Sequence, residues 1–279
     1  MYTIRPAEFD YVRPGSLDEA LAALAAEDAR PLAGGHSLLP MMKLRLARPA
    51  TLVDLARIPG LDGIRRDGPV VRIGALARHA AVASSELVRE ACPVLAETAA
   101  GIGDPQVRNR GTIGGSLAHA DPGADYPTVV RALGATITVA GADGTREVAA
   151  DDFFVGIFAT ALGHAELVTE VAVPAVKAAA YVKHAHPASG YAVVGVAAAV
   201  HDGGVRIAVG GATPVAVRAT AAEESLGGGS SPEAIAAAAA LVPGALEGAV
   251  GDTYASAEYR VHLAQVLAAR ALTAAFARA

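Results

Sequence analysis

Two glycine pairs hold the residues whose types and spacing could do chemistry: Leu32-Ala33-Gly34-Gly35-His36-Ser37-Leu38 and Thr112-Ile113-Gly114-Gly115-Ser116. Adjacent glycines adopt positive φ without steric cost and let another molecule approach the backbone closely. Several N–H groups turned toward one point make an anion-binding concavity, and phosphate is its commonest guest. Each pair has a serine close behind it, and the second lies between two hydroxyls. Neither turn contains Lys or Arg, and neither shows Gly-Lys-Ser/Thr, so the pattern points to the resting phosphates of a cofactor and not to phosphoryl transfer. The two loops are expected to face each other across one diphosphate. A pair of ordinary tight turns accounts for the spacing equally well, because the chain has 30 glycines.

Other candidate chemistries are poorly supported. Adjacent glycines with no long helix behind them do not fit the G-x-G-x-x-G of a Rossmann unit. Ser37 and Ser116 lack the G-x-S-x-G context of a hydrolase nucleophile. His36, His119, His184 and His186 have no His-x-x-x-His or Cys/His spacing, and His184-x-His186 lacks a third ligand, so no metal site is expected. No residue stands out as catalytic. Asp121 and Asp125 lie in D-P-G-A-D behind the second loop. Asp121 reads as part of a Pro-Gly turn with a helix cap, whereas an acid pointing past the phosphates would suit a ribose hydroxyl.

Composition narrows the class. The chain has 279 residues, 53% hydrophobic and 18% charged, with a net charge of −5. These values fit a globular protein of two or three lobes and argue against nucleic acid. Cys92 is the only cysteine, which leaves no disulfide and no cysteine-ligated cluster in this chain. Met1 to Asp10 shows no apolar signal region and no run reaches transmembrane length, so a cytoplasmic location is expected.

The elements around the loops are read from local pattern. A capping box at Ser16 to Glu19 starts a helix running to about Asp28, where Pro31 stops it. Leu32-Ala33 reads as a short buried strand, Met41 to Leu46 as a helical turn and Thr51 to Leu55 as a strand. Strand Val70 to Ile73 precedes helices at Ala80 to Glu90 and Pro93 to Ala100. A helical segment at Pro127 to Leu133 leads to a hairpin around Asp143-Gly144. D-D-F-F-V-G at Asp151 to Gly156 is expected to pack over a lobe boundary. Strands at Tyr181 to His184, Tyr191 to Val200 and Val205 to Val209 precede helices at Pro232 to Leu241 and Ser256 to about Arg278. The expected division is 1–57, 58–177 and 178–279.

Pro31 to Ala47 (P-L-A-G-G-H-S-L-L-P-M-M-K-L-R-L-A) and Arg108 to Asp125 (R-N-R-G-T-I-G-G-S-L-A-H-A-D-P-G-A-D) together resemble the FAD-binding medium subunit of the molybdenum hydroxylases, as found in aerobic carbon monoxide dehydrogenase and xanthine dehydrogenase-like enzymes. The similarity continues through D-D-F-F-V-G, the Tyr-Val-Lys at Tyr181 to Lys183 and the Ala-Glu-Tyr-Arg at Ala257 to Arg260, and so spans nearly the whole chain.

The resemblance implies an α+β fold of the p-cresol methylhydroxylase type, with two FAD-binding lobes and a C-terminal lobe of antiparallel sheet and helices. It implies that Ala33 to Ser37, flanked by Leu32 and Leu38, bind the FAD pyrophosphate together with Thr112 to Ser116. It places Asp125 near the adenosine side, Ile102 along the cofactor cleft, Leu167 or Val168 and Lys183 at further FAD contacts, and Tyr191 near the isoalloxazine. His186 and Gly190 depart from the family pattern, where a basic residue and an acid often stand. The implied partners are a small subunit with two [2Fe–2S] clusters and a large molybdopterin subunit, as a dimer of heterotrimers. The implied acceptor is a quinone, oxygen or NAD⁺. An autonomous flavin oxidoreductase and a non-enzymatic phosphate-binding module are the alternatives.

Overall fold

The computed structural model describes residues 5–279. Met1 to Ile4, part of the stretch read for a signal region, lie outside the described residues. The chain forms two lobes around a cleft and a third lobe against them, each built on its own sheet.

The first sheet is parallel, in the order β1-β3-β2: β1 (Asp10–Val12), β2 (Ala29–Leu32) and β3 (Thr51–Asp54). Parallel neighbours need crossovers, and the helices Leu17–Leu24 and Leu38–Lys43 supply them. The Ser16 hydroxyl accepts the Glu19 N–H at 3.2 Å, as in a capping box, but the Glu19 carboxylate accepts the N–H of Gly15 at 2.7 Å, one residue before the cap, so only half of the reciprocal pair forms. The helix ends at Leu24 and not near Asp28, which sits at φ 60°. Pro31 lies inside β2 instead of ending the helix. A proline is tolerated there because β2 is an edge strand.

The second sheet is antiparallel, in the order β4-β5-β10-β6-β7. Its strands β4 (Ile64–Asp67), β5 (Val70–Gly74), β6 (Thr136–Gly141) and β7 (Gly144–Ala149) are followed by a small hairpin, β8 (Phe154–Gly156) and β9 (Ala159–Thr160), and then by β10 (Leu167–Pro174). Between β5 and β6 the chain is helical. The helix expected from Ala80 to Glu90 is two helices, His79–Ser84 and Glu86–Ala91, because Ser85 leaves helical geometry to cap the second. Helices Pro93–Ala100 and Asp125–Leu133 are buried over most of their length in a core that this lobe shares with the third sheet, on which the second of them packs.

The third sheet is antiparallel, in the order β11-β12-β13-β14: β11 (Ala179–Ala185), β12 (Ala192–His201), β13 (Gly204–Gly210) and β14 (Val217–Arg218). The helix Ala257–Phe276 covers one face through Ala264, Leu267, Ala268, Ala271, Leu272 and Ala275. The four alanines among these positions let helix and sheet approach closely. The opposite face joins the core of the second lobe through Ala197, Ala199 and Ala208. At this joint Asp151 accepts hydrogen bonds from Arg206 at 2.7 Å and Arg218 at 3.3 Å, while Phe153 and Phe154 are buried beside it.

Candidate cofactor site

Small-molecule sites are clefts of about 300 to 1,000 Å³. The one between these lobes measures about 530 Å³. The two glycine segments both line it, but they are built differently.

The first leaves β2 and enters the helix Leu38–Lys43. Gly35 has φ 75°, which turns the chain sharply. The N–H groups of Gly34, Gly35, His36, Ser37 and Leu38 make no hydrogen bond among the described residues, and neither does the Ser37 hydroxyl. These donors are successive and border the cleft, which makes them an anion-binding concavity of backbone origin.

The second segment is not a loop. Ile113–His119 is a helix, and Thr112 is its N-cap. Its N–H groups are already used. Ile113 donates to the Ala77 carbonyl at 3.0 Å, Gly114 to Ala75 at 2.9 Å, Gly115 to the Thr112 hydroxyl at 3.1 Å and Ser116 to the Thr112 carbonyl at 3.0 Å. What this segment offers the cleft is the free Ser116 hydroxyl and a close-packed wall. The expectation of two matching N–H nests is corrected accordingly, because hydrogen bonds to the Ala75–Ala77 stretch and to Thr112 consume the second set of donors.

The glycines explain the contact between the segments. A methyl group added at Gly34 would overlap the backbone of Arg110 and Gly111, and one at Gly114 would overlap Ala75. One at Gly111 would come within 2.6 Å of Nε2 of His79. The first loop therefore rests directly on the chain entering the second segment, with His79 beneath. His79 is 5% exposed, and burial, reinforced by the charges of His36 and Arg108, pushes its pKa down to about 4. The ring is a neutral part of the cleft floor, with Nδ1 unpartnered among the described residues.

Of the residues singled out from sequence, Ala33 to Leu38, Ile102, Thr112, Gly114 to Ser116, Asp125, Val168 and Tyr191 border the cleft. Leu32, Ile113 and Lys183 do not: Ile113 is fully buried behind the wall, and Leu32 ends β2. Lys183 stands one step back. Its Nζ lies 2.9 Å from Asp125 Oδ2 and donates to the Gly190 and Gly101 carbonyls at 2.9 and 3.2 Å. The Tyr181 hydroxyl donates to Asp125 Oδ1 at 2.6 Å, and its ring fits because the diagonal neighbour on β12, position 195, is glycine. Burial raises the Asp125 pKa, opposed by the charge and hydrogen bond of Lys183 and by the Tyr181 bond. Both oxygens of Asp125 are thus engaged with β11.

His79, Phe158 and Ser189 also border the cleft and were not singled out. A lone histidine in an alanine-rich helix gives no local signal. Phe158, in a left-handed conformation at φ 52°, gives none either.

The donor set fits a diphosphate-bearing cofactor, and comparison with known proteins agrees. Residues 7–176 match the family described as the FAD binding domain in molybdopterin dehydrogenase, and residues 175–275 match the CO dehydrogenase flavoprotein C-terminal domain. The chain belongs to the family of FAD-binding medium subunits of molybdenum hydroxylases, and is an oxidoreductase component.

It is 42% identical to the carbon monoxide dehydrogenase medium chain of Hydrogenophaga pseudoflava, covering 98% of this chain and 99% of that one. It is 39% identical to the 6-hydroxypseudooxynicotine dehydrogenase complex subunit alpha of Paenarthrobacter nicotinovorans, over 99% and 97% of the two chains. The structure of the Hydrogenophaga pseudoflava carbon monoxide dehydrogenase that lacks the Mo-pyranopterin moiety superimposes with a TM-score of 0.93, at 44% identity over 98% of this chain and 99% of that one.

Proposed function

We propose that this chain is the electron-transfer subunit of a heterotrimeric molybdenum hydroxylase. It holds FAD between lobes 1–57 and 58–177, with 178–279 closing the cleft, and passes electrons from the [2Fe–2S] clusters of a small partner to an external acceptor. The observation that carries this reading is the run of free N–H groups from Gly34 to Leu38 in the cleft wall. When bound, FAD supplies the ability to accept electrons singly and release them in pairs.

The chain's own residues bind and position. The Gly34 to Leu38 N–H groups and the Ser37 and Ser116 hydroxyls hold the pyrophosphate, with Thr112 to Gly115 as the facing wall and Leu32 and Ile113 as backing. Ile102, Val168 and Tyr191 give apolar and aromatic surface. Asp125, held by Tyr181 and Lys183, is a fixed polar group in the cleft. No acid or base is assigned, because substrate oxidation belongs to a large molybdopterin subunit. The relatives' names differ in substrate, carbon monoxide in one and 6-hydroxypseudooxynicotine in another, while the chains remain alike. Purified under native conditions from its source, the chain is expected to bring down an iron–sulfur subunit and a molybdenum subunit. A lone chain that turns over its own substrate would overturn the proposal.

A further inference from the structure

His79 lies buried in the cleft floor, and neither of its ring nitrogens hydrogen-bonds to a described residue. A buried polar group without a partner calls for an explanation. The two nitrogens differ in their surroundings. Nδ1 is sealed from solvent, whereas the Nε2–Cδ2 edge rests on Gly111, where an added methyl would come within 2.6 and 2.8 Å of those two atoms. Gly111 is in turn the backbone on which the first loop sits, since a methyl added at Gly34 would meet its Cα at 2.7 Å. Nε2 therefore stands at the foot of the run of free N–H groups that begins at Gly34.

The ring is held in this place from both ends. The His79 N–H donates to the Gly111 carbonyl at 3.0 Å, and Arg78 pairs with Thr112 in an isolated β-bridge. The fully buried Tyr126 ring packs against the imidazole at 5.3 Å between centroids. A neutral imidazole carries one proton and one lone pair, and burial keeps this ring neutral. Buried N–H groups are left without a partner more rarely than buried acceptors. The sealed Nδ1 is accordingly assigned the lone pair and Nε2 the proton.

A diphosphate in the cleft needs such a donor, because a buried anion must be hydrogen-bonded. The helix Ile113–His119 has spent its first N–H groups and offers only the Ser116 hydroxyl. Arg30 is the only Lys or Arg bordering the cleft among the described residues, and its guanidinium turns back to the Ala29 carbonyl at 3.2 Å.

We propose that His79 is a further cofactor-binding residue, whose Nε2–H donates to a pyrophosphate oxygen of FAD beside Gly34. The inference rests on the FAD-binding function proposed above. His79 supplies from the second lobe a donor that the backbone of the second glycine segment does not.

Two measurements on the intact complex test this assignment. In a crystal structure of the wild-type complex with FAD, Nε2 should stand about 3 Å from a pyrophosphate oxygen. In the second, flavin is removed from wild-type, His79→Leu and His79→Gln complexes, and FAD rebinding is followed by fluorescence. ADP serves as a competing probe that carries the diphosphate without the flavin. His79→Leu is expected to weaken FAD and ADP alike by about tenfold or more. His79→Gln keeps a side-chain N–H donor and should hold both within about threefold of wild type. An Nε2 beyond hydrogen-bonding distance of every pyrophosphate oxygen would overturn the proposal, whether or not the variants fold. So would a Gln variant as weak as the Leu variant, or a loss for FAD with none for ADP. Absence of flavin from the wild-type complex would instead overturn the function on which the proposal rests.

Discussion

At Gly34 a single hydrogen atom separates two segments of backbone, so the smallest possible substitution is informative there. The added methyl of Gly34→Ala would meet the Arg110 backbone, which cannot rotate away as a side chain could. Gly34→Ala is therefore expected to cost upwards of about 3 kcal/mol and to lose bound flavin. At Gly203, in an exposed turn of the third lobe away from the cleft, an added methyl meets no atom within 4 Å. Gly203→Ala should stay within about 1 kcal/mol of wild type and keep its flavin. Denaturant melts and flavin content of the two variants check the contrast; equal effects would contradict it.

His79 gives a pH dependence at the same scale. Its pKa is about 4 in the fold, against an ordinary value of 6.5. Between these values the unfolded chain binds the extra proton, so stability is full above pH 6.5 and declines as pH falls toward 4. The loss approaches roughly 3 kcal/mol, because each pH unit crossed between the two values removes about 1.4 kcal/mol. An imidazole NMR titration should find His79 neutral at about pH 5.5, and a midpoint near the ordinary imidazole value would contradict its buried placement.

At the scale of elements, the strap from β11 to the helix Asp125–Leu133 joins the C-terminal lobe to the cleft. Asp125 is 6% exposed and its partner Lys183 17% in their side chains, so removing one partner strands a buried charge. Lys183→Met is expected to cost roughly 3 kcal/mol, and Asp125→Asn in the same chain should restore part of it. In Lys183→Met the Asp125 pKa rises further above its unfolded value, so the fold binds the extra proton and the deficit shrinks as pH falls. Thermal melts of the single and double variants at two pH values measure both effects. A deficit that grows on acidification would contradict this role for the pair.

Elements also show what can be read from sequence. The Ser16 helix cap, the hairpin at Asp143-Gly144 and the long C-terminal helix are legible because neighbours in sequence determine them. The two glycine pairs are legible as special positions, but not as different ones. Whether a glycine segment keeps its N–H groups free depends on what packs against it. The Ala75 and Ala77 carbonyls that take donors of the second segment lie far upstream of Gly114 in the chain. Likewise nothing near Lys183 announces that it holds Asp125 across the lobe joint.

For the whole molecule, three sheets meet around one cleft, and the donors that suit a diphosphate come mainly from the first lobe. No helix among the described residues is long and apolar enough to cross a membrane. The central claim is that this cleft holds FAD, and the most direct measurement is the cofactor released when the co-expressed complex is denatured. One FAD per copy of this chain is expected, falling to a small fraction in Gly34→Ala complexes that still contain the chain. A wild-type complex that releases no flavin, or a Gly34→Ala complex with full occupancy, would contradict the account.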